Sequence, residues 1–192
     1  MPIYDILFNY LDQYVALDSD EKQIIRELSL IKEFKKGTLL VEEGKRSNES
    51  YFVLKGIVRC YYLIDGVEKT TELYSELDVI NPICTIEQRP SENYIECMED
   101  SVILISTPES AQASALKFPK FEMLCRIISE KLAAKKLTDF NSFKTSSPEQ
   151  RYLKLLESRP GLLQRVPQYH LASFLGITPQ SLSRLRKRIV QK

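Results

Sequence analysis

The chain of 192 residues contains a single histidine, His170, and this scarcity removes many classes of enzyme. A metal site built from several histidines has no ligands here, and a Ser-His-Asp hydrolase would have to use His170 itself. The four cysteines, Cys60, Cys84, Cys97 and Cys125, stand far apart and form no Cys-x-x-Cys pair. Such spacing is typical of buried small side chains, with an iron–sulfur cluster of converging thiolates as the alternative. We therefore expect no metal and no other cofactor.

Long apolar runs are also absent from the sequence. No segment approaches the roughly 20 apolar residues that a membrane-spanning helix needs. Residues 1–14 contain no basic region followed by an apolar core, and Asp5 interrupts them, so no secretory signal is visible. The apolar fraction of 43% is ordinary for a globular protein, and 192 residues fit one large domain or two small ones. The sequence predicts a cytoplasmic protein.

Residues 168–192 carry the pattern that points to a function. Apolar residues recur there at three- and four-residue steps, which predicts two short amphipathic helices: Leu171, Leu175, Leu182, Leu185 and Ile189. Gly176 lies between the two segments, where a left-handed residue commonly ends a helix. Thr178 is placed to cap the second helix, and Pro179 suits its first turn. This order is that of a helix-turn-helix, a motif that binds DNA.

The outward side of the second predicted helix suits contact with DNA. Its candidate DNA-binding residues are Thr178, Gln180, Ser181, Arg184, Lys187 and Arg188. We expect Gln180, Ser181 and Arg184 to read base edges, because glutamine pairs with adenine and arginine with guanine. The other three are expected to hold the backbone phosphates. A solvated basic helix end is the alternative. The Gly, Thr and Pro residues before the helix, which end one helix and begin the next, favour DNA binding. His170 is expected to be an exposed residue of the first helix.

Positive charge is concentrated in the same part of the chain. Residues 145–192 contain two acidic residues and nine basic ones, which are Arg151, Lys154, Arg159, Arg165, Arg184, Arg186, Lys187, Arg188 and Lys192. Their net charge is +7, so residues 1–144 carry −6 within a whole-chain charge of +1. A localised positive patch is typical of phosphate binding.

The remainder of the chain divides into helical and strand-like parts. Residues from about Met1 to Ile31 show helical periodicity, with a helix start at Asp18. From Phe34 to about Ser106, short runs of β-branched and aromatic residues alternate with turn formers, and Asp65-Gly66 is a strong hairpin signal. This density of short strands predicts a small β-sandwich or barrel.

A long helix is predicted over residues 121–143, after a helical stretch that begins at Pro108. Its apolar stripe indicates either core packing or a dimer seam. Ser147 is expected to cap a further helix that ends at about Ser158.

Several of these segments together resemble a known family. Residues 34–40 (Phe-Lys-Lys-Gly-Thr-Leu-Leu), Glu43-Gly44 and residues 51–58 (Tyr-Phe-Val-Leu-Lys-Gly-Ile-Val) look like the opening of a cyclic-nucleotide-binding β-roll. Followed by a long helix and a helix-turn-helix, the chain is similar to the Crp/Fnr superfamily of bacterial transcription regulators. The resemblance implies an α+β fold of three parts. These are a sensor domain at 1–118, a dimerisation helix at 119–144 and a helix-turn-helix domain at 145–192.

The resemblance also implies partners. It predicts a homodimer that reads a two-fold-related site in double-stranded DNA, and RNA polymerase is a further partner in members that activate transcription. The expected dimer interface consists of Phe121, Leu124, Ile128 and Leu132.

Two departures from the family pattern bear on the signal that the protein senses. Members that bind cyclic AMP carry a Gly-Glu pair and then an arginine for the cyclic phosphate, but here these positions align with Asn81-Pro82 and Ser91. We therefore expect weak or absent binding of cyclic AMP, with an unidentified effector in a pocket whose candidate residues are Tyr62, Tyr74, Cys84, Arg89 and Cys97. The second departure is that the sequence ends after the recognition helix, so most or all of the β-hairpin wing is expected to be absent.

The sequence bears on four alternatives to an effector-sensing regulator. A constitutive DNA-binding protein whose β-roll serves only as a dimerisation scaffold remains open, and so does a true cyclic-nucleotide-responsive regulator. An enzyme on a similar barrel, such as a metal-dependent cupin, needs several inward histidines that this barrel lacks. A regulatory module of a kinase or channel would leave the helix-turn-helix unexplained.

Overall fold

The computed structural model describes residues 3–190, which form two four-stranded sheets with helices before, beside and after them. In chain order the helices and strands are α1 (Ile3–Leu11), α2 (Ser19–Leu28), β1 (Leu30–Phe34), β2 (Leu39–Val41), β3 (Ser50–Lys55), β4 (Val58–Ile64), β5 (Val67–Tyr74), β6 (Val79–Ile80), α3 (Ile83–Glu87), β7 (Tyr94–Cys97), β8 (Ser101–Ser106), α4 (Pro108–Lys117), α5 (Phe121–Thr145), α6 (Pro148–Ser158), α7 (Pro160–Arg165), α8 (Gln168–Phe174) and α9 (Pro179–Val190). None of the helices within this described part is both long and apolar enough to cross a membrane.

The two sheets form the predicted β-roll. Their strand orders are β1-β8-β3-β6 and β2-β7-β4-β5, and every strand pair is antiparallel. Alternate residues of the strands, such as Tyr51 and Val53, point into a shared core between the sheets. The hairpin at Asp65-Gly66 is confirmed, because Ile64 pairs with Val67 and both turn residues have positive φ, 51° and 75°.

The N-terminal helical prediction is right for α1 and α2 and wrong beyond Leu28, and its first two residues lie outside the described part of the chain. Asp18 caps α2 through a reciprocal pair of hydrogen bonds with Glu21. Ser29 is then extended, and β1 pairs with β8 over five residues, including Ile31 opposite Leu104. The apolar residues of a short strand can continue the spacing of the preceding helix, so periodicity did not separate the two. Backbone pairing with β8 decides the conformation.

The helices after the β-roll begin and end close to their predicted positions. Ser147 caps α6, since its Oγ accepts from the backbone N of Gln150 at 3.3 Å and the Gln150 side chain accepts from the backbone N of Ser147 at 2.8 Å. The short helices α3 and α7 were not predicted, because five and six residues are too few to show a helical period.

The C-terminal helices share their hydrophobic core with the β-roll. Leu171, Leu175 and Leu182 are at most 2% exposed, and the same cluster contains Ile57 and Leu73 from the β-roll. Helix α8 therefore packs directly on β5, which places the C-terminal part of the chain in a defined position against the sheets.

Candidate nucleic-acid interface

The turn between α8 and α9 depends on Gly176. Its φ is +71°, a left-handed conformation that strains residues with a Cβ, and an added Cβ would lie 3.2 Å from the ring of Phe143. The backbone N of Ile177 donates to the carbonyl of Ala172 at 3.0 Å, which closes the turn over the end of α8. The sequence prediction of a helix end at Gly176 is confirmed.

The start of α9 is capped as predicted. Thr178 Oγ1 accepts from the backbone N of Ser181 at 3.2 Å, which satisfies one of the free N–H groups of the first turn. The Thr178 hydroxyl in turn donates to the hydroxyl of Ser181 at 3.0 Å. These contacts fix the N-terminal turn of α9.

Helix α9 has one buried face and one exposed polar face. Leu182 and Leu185 are buried against the other C-terminal helices. Gln180, Arg184 and Lys187 lie on the opposite side, with Ser181 and Arg188 flanking them and Thr178 just before the helix, and all six candidate DNA-binding residues are exposed. Arg184 and Lys187 form no ion pair with any residue between 3 and 190, so their charges face solvent. Arg188 instead pairs with Glu149 at the start of α6.

The basic patch is narrower than the charge count of residues 145–192 predicts. Arg165 pairs with Glu76 and Glu99 of the β-roll, and this guanidinium holds the pKa of the half-buried Glu76 below its usual range against the opposing effect of burial. Arg159 bonds to the carbonyl of Leu73 at 3.0 Å and also pairs with Asp78. These two cations hold the C-terminal helices on the β-roll and are not presented to a ligand.

A third arginine, Arg151 of α6, fixes the position of α8 relative to the junction between α5 and α6. Arg151 donates to the carbonyl of Leu175 at 2.8 Å and to that of Ser146 at 2.7 Å. It therefore ties the end of α8 to the segment between α5 and α6. Lys154 pairs with Asp139 at 3.6 Å, and Lys192 lies outside the described residues. Arg186 donates to the carbonyl of Leu163 at 3.4 Å, and Arg188 is exposed but paired with Glu149. Arg184 and Lys187 are therefore the cations on the exposed side of α9 that have no ion pair among residues 3–190.

The prediction that His170 is exposed is wrong. His170 is only 6% exposed, and its Nδ1 lies 2.7 Å from Nη1 of Arg59 in β4. Burial and the neighbouring Arg59 charge lower the pKa of His170 from 6.5 to about 4, with Glu68 acting in the opposite direction. Helix α8 faces β5 at this point, and Thr70 donates from its backbone N to Ser173 Oγ at 2.9 Å. His170 therefore joins two parts of the chain instead of meeting DNA.

Arg59 was not identified from the sequence, although it organises this contact. It is 4% exposed, pairs with both Glu68 and Glu96 at 2.6 Å, and its guanidinium lies over the ring of Tyr61 at 4.0 Å. A buried guanidinium needs such partners, because its desolvation is costly. An arginine within a run of apolar strand residues was the one available signal in the sequence.

The candidate effector residues separate into two groups. Cys84 and Cys97 belong to the core cluster between the sheets, and the partly buried Tyr62 and Tyr74 pack against it. Burial raises the pKa of the Cys97 thiol to about 11, so this thiol stays protonated and packs as a small apolar group. Glu87 and Glu92 hold the guanidinium of Arg89, which lies close enough to Tyr62 for its charge to act on that side chain.

Some of the candidate dimer-interface residues already pack against other residues of the same chain. Leu124 is 3% exposed and packs with Phe8 and Phe118, and Phe121 borders the same cluster. Ile128 and Leu132 are half-buried. The large apolar side chains that α5 leaves exposed are Met123, Leu137, Phe140 and Phe143.

Comparison with known proteins agrees with this architecture. Residues 31–113 match the family of the cyclic nucleotide-binding domain. No curated protein sequence matches the chain. Among solved structures, the c-di-GMP responsive global regulator CLP of Xanthomonas campestris has a TM-score of 0.67 and 15% identity, covering 91% of this chain and 92% of that one.

Two further solved structures are similar over most of their length. A mutant of CooA from Carboxydothermus hydrogenoformans has a TM-score of 0.65 at 19% identity, covering 87% of this chain and 78% of its own. FixK2 from Bradyrhizobium japonicum has a TM-score of 0.65 at 19% identity, covering 85% of each chain. Residues 31–113 therefore match the cyclic nucleotide-binding domain, and the chain as a whole shares the fold of these three solved structures.

Proposed function

We propose that this chain is a homodimeric transcription regulator of the Crp/Fnr type, which binds double-stranded DNA sequence-specifically through a helix-turn-helix formed by α8 and α9. The observation that carries this proposal is the division of α9 into two faces. Leu182 and Leu185 anchor the helix in the core, while Gln180, Arg184 and Lys187 extend from its exposed side. Neither Arg184 nor Lys187 forms an ion pair with any residue between 3 and 190. A rigidly held helix with this polar face fits the major groove.

The proposed division of labour follows the three parts of the chain. Residues 1–118 sense, residues 119–144 dimerise and residues 145–192 bind DNA. The exposed side chains of Leu137 and Phe140, 62% and 58% accessible, support a seam along α5 that reaches further toward the C-terminal end of that helix than Leu124.

The proposed effector is a compound other than cyclic AMP. Ser91, at the position that aligns with the phosphate-binding arginine, is 4% exposed and donates from its hydroxyl to the backbone carbonyl of Asn93. The nearby Arg89 is paired with two carboxylates, which lowers its capacity to neutralise a phosphate. A buried phosphate without a cation bears a large desolvation cost.

The test is selection of DNA from a random duplex library by the purified chain, without added ligand. The enriched sequence should contain two related half-sites and bind at least about a hundredfold more tightly than a scrambled duplex at 0.15 M salt. Equal affinity for the two duplexes would refute sequence-specific binding. Enrichment without an added compound would favour the constitutive alternative, whereas enrichment only in the presence of cell metabolites would favour an effector.

Dimerisation is tested on the same protein by sedimentation. Leu137→Glu should shift the chain toward monomer and weaken binding to the two-half-site duplex, because it places a charge in the proposed seam. Thr138→Glu, at the adjacent exposed position, is the matched control. A chain that is monomeric before substitution would overturn the homodimer.

A further inference from the structure

A cavity of about 320 Å³ lies on the outer side of the β-roll, away from the core between the sheets. Its floor is the outer face of the sheet β1-β8-β3-β6, where Phe52 and Leu104 point away from the sandwich. Leu7 of α1 and Ile25 of α2 form one wall, and Leu124 of α5 forms another. This size is at the lower end of the range for pockets that bind small molecules.

One end of the cavity carries a group of serine hydroxyls. Ser50 pairs with Ser106 across β3 and β8, and Ser29 immediately precedes Leu30, which pairs with Ile105. The three serines therefore lie side by side at the ends of three adjacent strands, and all of them line the cavity. Each is half-buried, and no hydroxyl of the three forms a hydrogen bond to another described residue. Half-buried hydroxyls without protein partners are available to a ligand.

The cavity is also free of ionised groups. None of the described residues that line it is Asp, Glu, Lys or Arg. A charged ligand would lose its hydration here without gaining a counter-ion, which is costly. A neutral molecule with an apolar body loses little and gains the burial of its surface.

We propose that this cavity binds an uncharged, mainly apolar small molecule whose single polar end faces Ser29, Ser50 and Ser106. Its ligand class is that of a medium-chain alcohol or a neutral aromatic compound, and nucleotides and carboxylates are excluded. The site is distinct from the core between the sheets. The inference does not depend on DNA binding, so its failure and the failure of the proposed function are distinguishable.

The position of the cavity gives an occupied site a route to the C-terminal helices. Val79 of β6 lines the cavity next to Asp78, which pairs with Lys135 of α5 and with Arg159 before α7. A ligand that contacts both β6 and α5 therefore touches two elements that meet at the Asp78 carboxylate. The same carboxylate pairs with Arg159, at the junction of α6 and α7, and so links both elements to the C-terminal helices. If the proposed function holds, occupancy should change the affinity for the selected DNA.

The chemical class is tested with two dyes that differ by one charge. N-phenyl-1-naphthylamine is neutral, and 8-anilinonaphthalene-1-sulfonate has the same rings with an added sulfonate. The neutral dye should show a saturable rise in fluorescence at one site per chain, and the sulfonate should bind at least about tenfold more weakly. The neutral dye should be displaced by 1-decanol and not by an equal concentration of decanoate. Equal binding of the two dyes, or equal competition by decanol and decanoate, would overturn the proposal.

The location is tested through Cys125, which lines the cavity on α5 and is the exposed one among the four cysteines. In the unaltered chain, the neutral dye should slow alkylation of Cys125 at least about tenfold, because the bound ligand covers the thiol. Cys125→Phe should fill the cavity mouth and abolish dye binding, whereas Glu157→Phe, an exposed change on α6 outside the cavity and the proposed dimer seam, should not. Unchanged alkylation at saturating dye would place the ligand elsewhere.

The polar end of the site is tested by replacing Ser50 and Ser106 by alanine. This change should weaken the competition by decanol several-fold, and unchanged competition would refute a contact between these serines and the polar end of the ligand.

Discussion

The guanidinium of Arg59 donates a hydrogen bond from Nη1 to Nδ1 of His170 across 2.7 Å, and both side chains are buried. Arg59 belongs to β4 and His170 to α8, so this contact joins the β-roll to the first helix of the proposed DNA-binding unit. Arginine has no acceptor atom, so Nδ1 must supply the lone pair and the imidazole proton must lie on Nε2. The contact therefore requires a neutral histidine.

We predict that the chain loses stability at mildly acidic pH through protonation of His170. Burial and the Arg59 charge lower the pKa of His170 from 6.5 to about 4 in the folded state, while Glu68 raises it in part. Between these values the unfolded chain binds a proton that the folded chain does not, so the contribution is complete above pH 6.5 and declines as the pH falls toward 4. Urea unfolding at pH 7.5 and pH 5.0 should differ by about 2 kcal/mol from this group.

His170→Gln is the control that isolates this contribution. Its amide oxygen can still accept from Arg59, but the side chain does not titrate. The variant should therefore show a flatter dependence of unfolding free energy on pH, while carboxylates elsewhere affect both proteins equally. Parallel pH profiles for the two proteins would show that another group is responsible.

Gly176→Ala should destabilise the turn between α8 and α9. The left-handed φ of +71° and the Phe143 ring 3.2 Å from the new Cβ both oppose it, at a combined cost of about 1–2 kcal/mol. Gly161→Ala is the matched control, because Gly161 lies in α7, has no left-handed φ, and has no atom within 4 Å of an added Cβ. That change should stabilise the chain by about 0.5–1 kcal/mol. Equal unfolding midpoints for the two variants would contradict the role of Gly176.

The sequence predicts the fold well where local chemistry decides the conformation. Asp65-Gly66, Ser147 and Gly176 each act through their own backbone preferences, and all three have the predicted structure. The boundary between α2 and β1 was missed at Ile31, because it is set by pairing with β8, which lies about 70 residues later in the sequence. Long-range pairing of this kind leaves no local pattern.

The sequence predicted which side of α9 is exposed, but it did not predict the contacts between the C-terminal helices and the β-roll. Arg184 and Lys187 lie on the helix side that the three- and four-residue spacing indicates. Counting charge along the sequence assigned Arg159 and Arg165 to the same patch, although carboxylates of the β-roll bind both. A count of charges does not show which cations already have partners in the fold.

Arg184 and Lys187 should have different effects on DNA binding once a site is selected. Arg184→Ala should cost about 1–3 kcal/mol at that site and relax the base preference at one position, because its guanidinium is expected to read a guanine edge. Lys187→Ala should weaken binding to the selected and scrambled duplexes alike. It should also lower the slope of log affinity against log salt concentration by about one, as loss of a phosphate contact does. Lys32→Ala, an exposed change on β1, is the control. Identical losses for Arg184→Ala on both duplexes would remove Arg184 from base reading.

Glu149→Gln should strengthen DNA binding. Glu149 pairs with Arg188 beside the exposed face of α9, so its carboxylate both occupies that guanidinium and repels an approaching phosphate. Neutralising it should increase the affinity for the selected duplex by about two- to fivefold at 0.15 M salt. The affinity should also fall more steeply as the salt concentration rises. Glu157→Gln, which removes an exposed carboxylate near the other end of α6, should change the affinity much less. If both variants bind equally more tightly, the gain reflects overall charge and the Arg188–Glu149 pair has no local role; if neither does, Arg188 does not contact DNA.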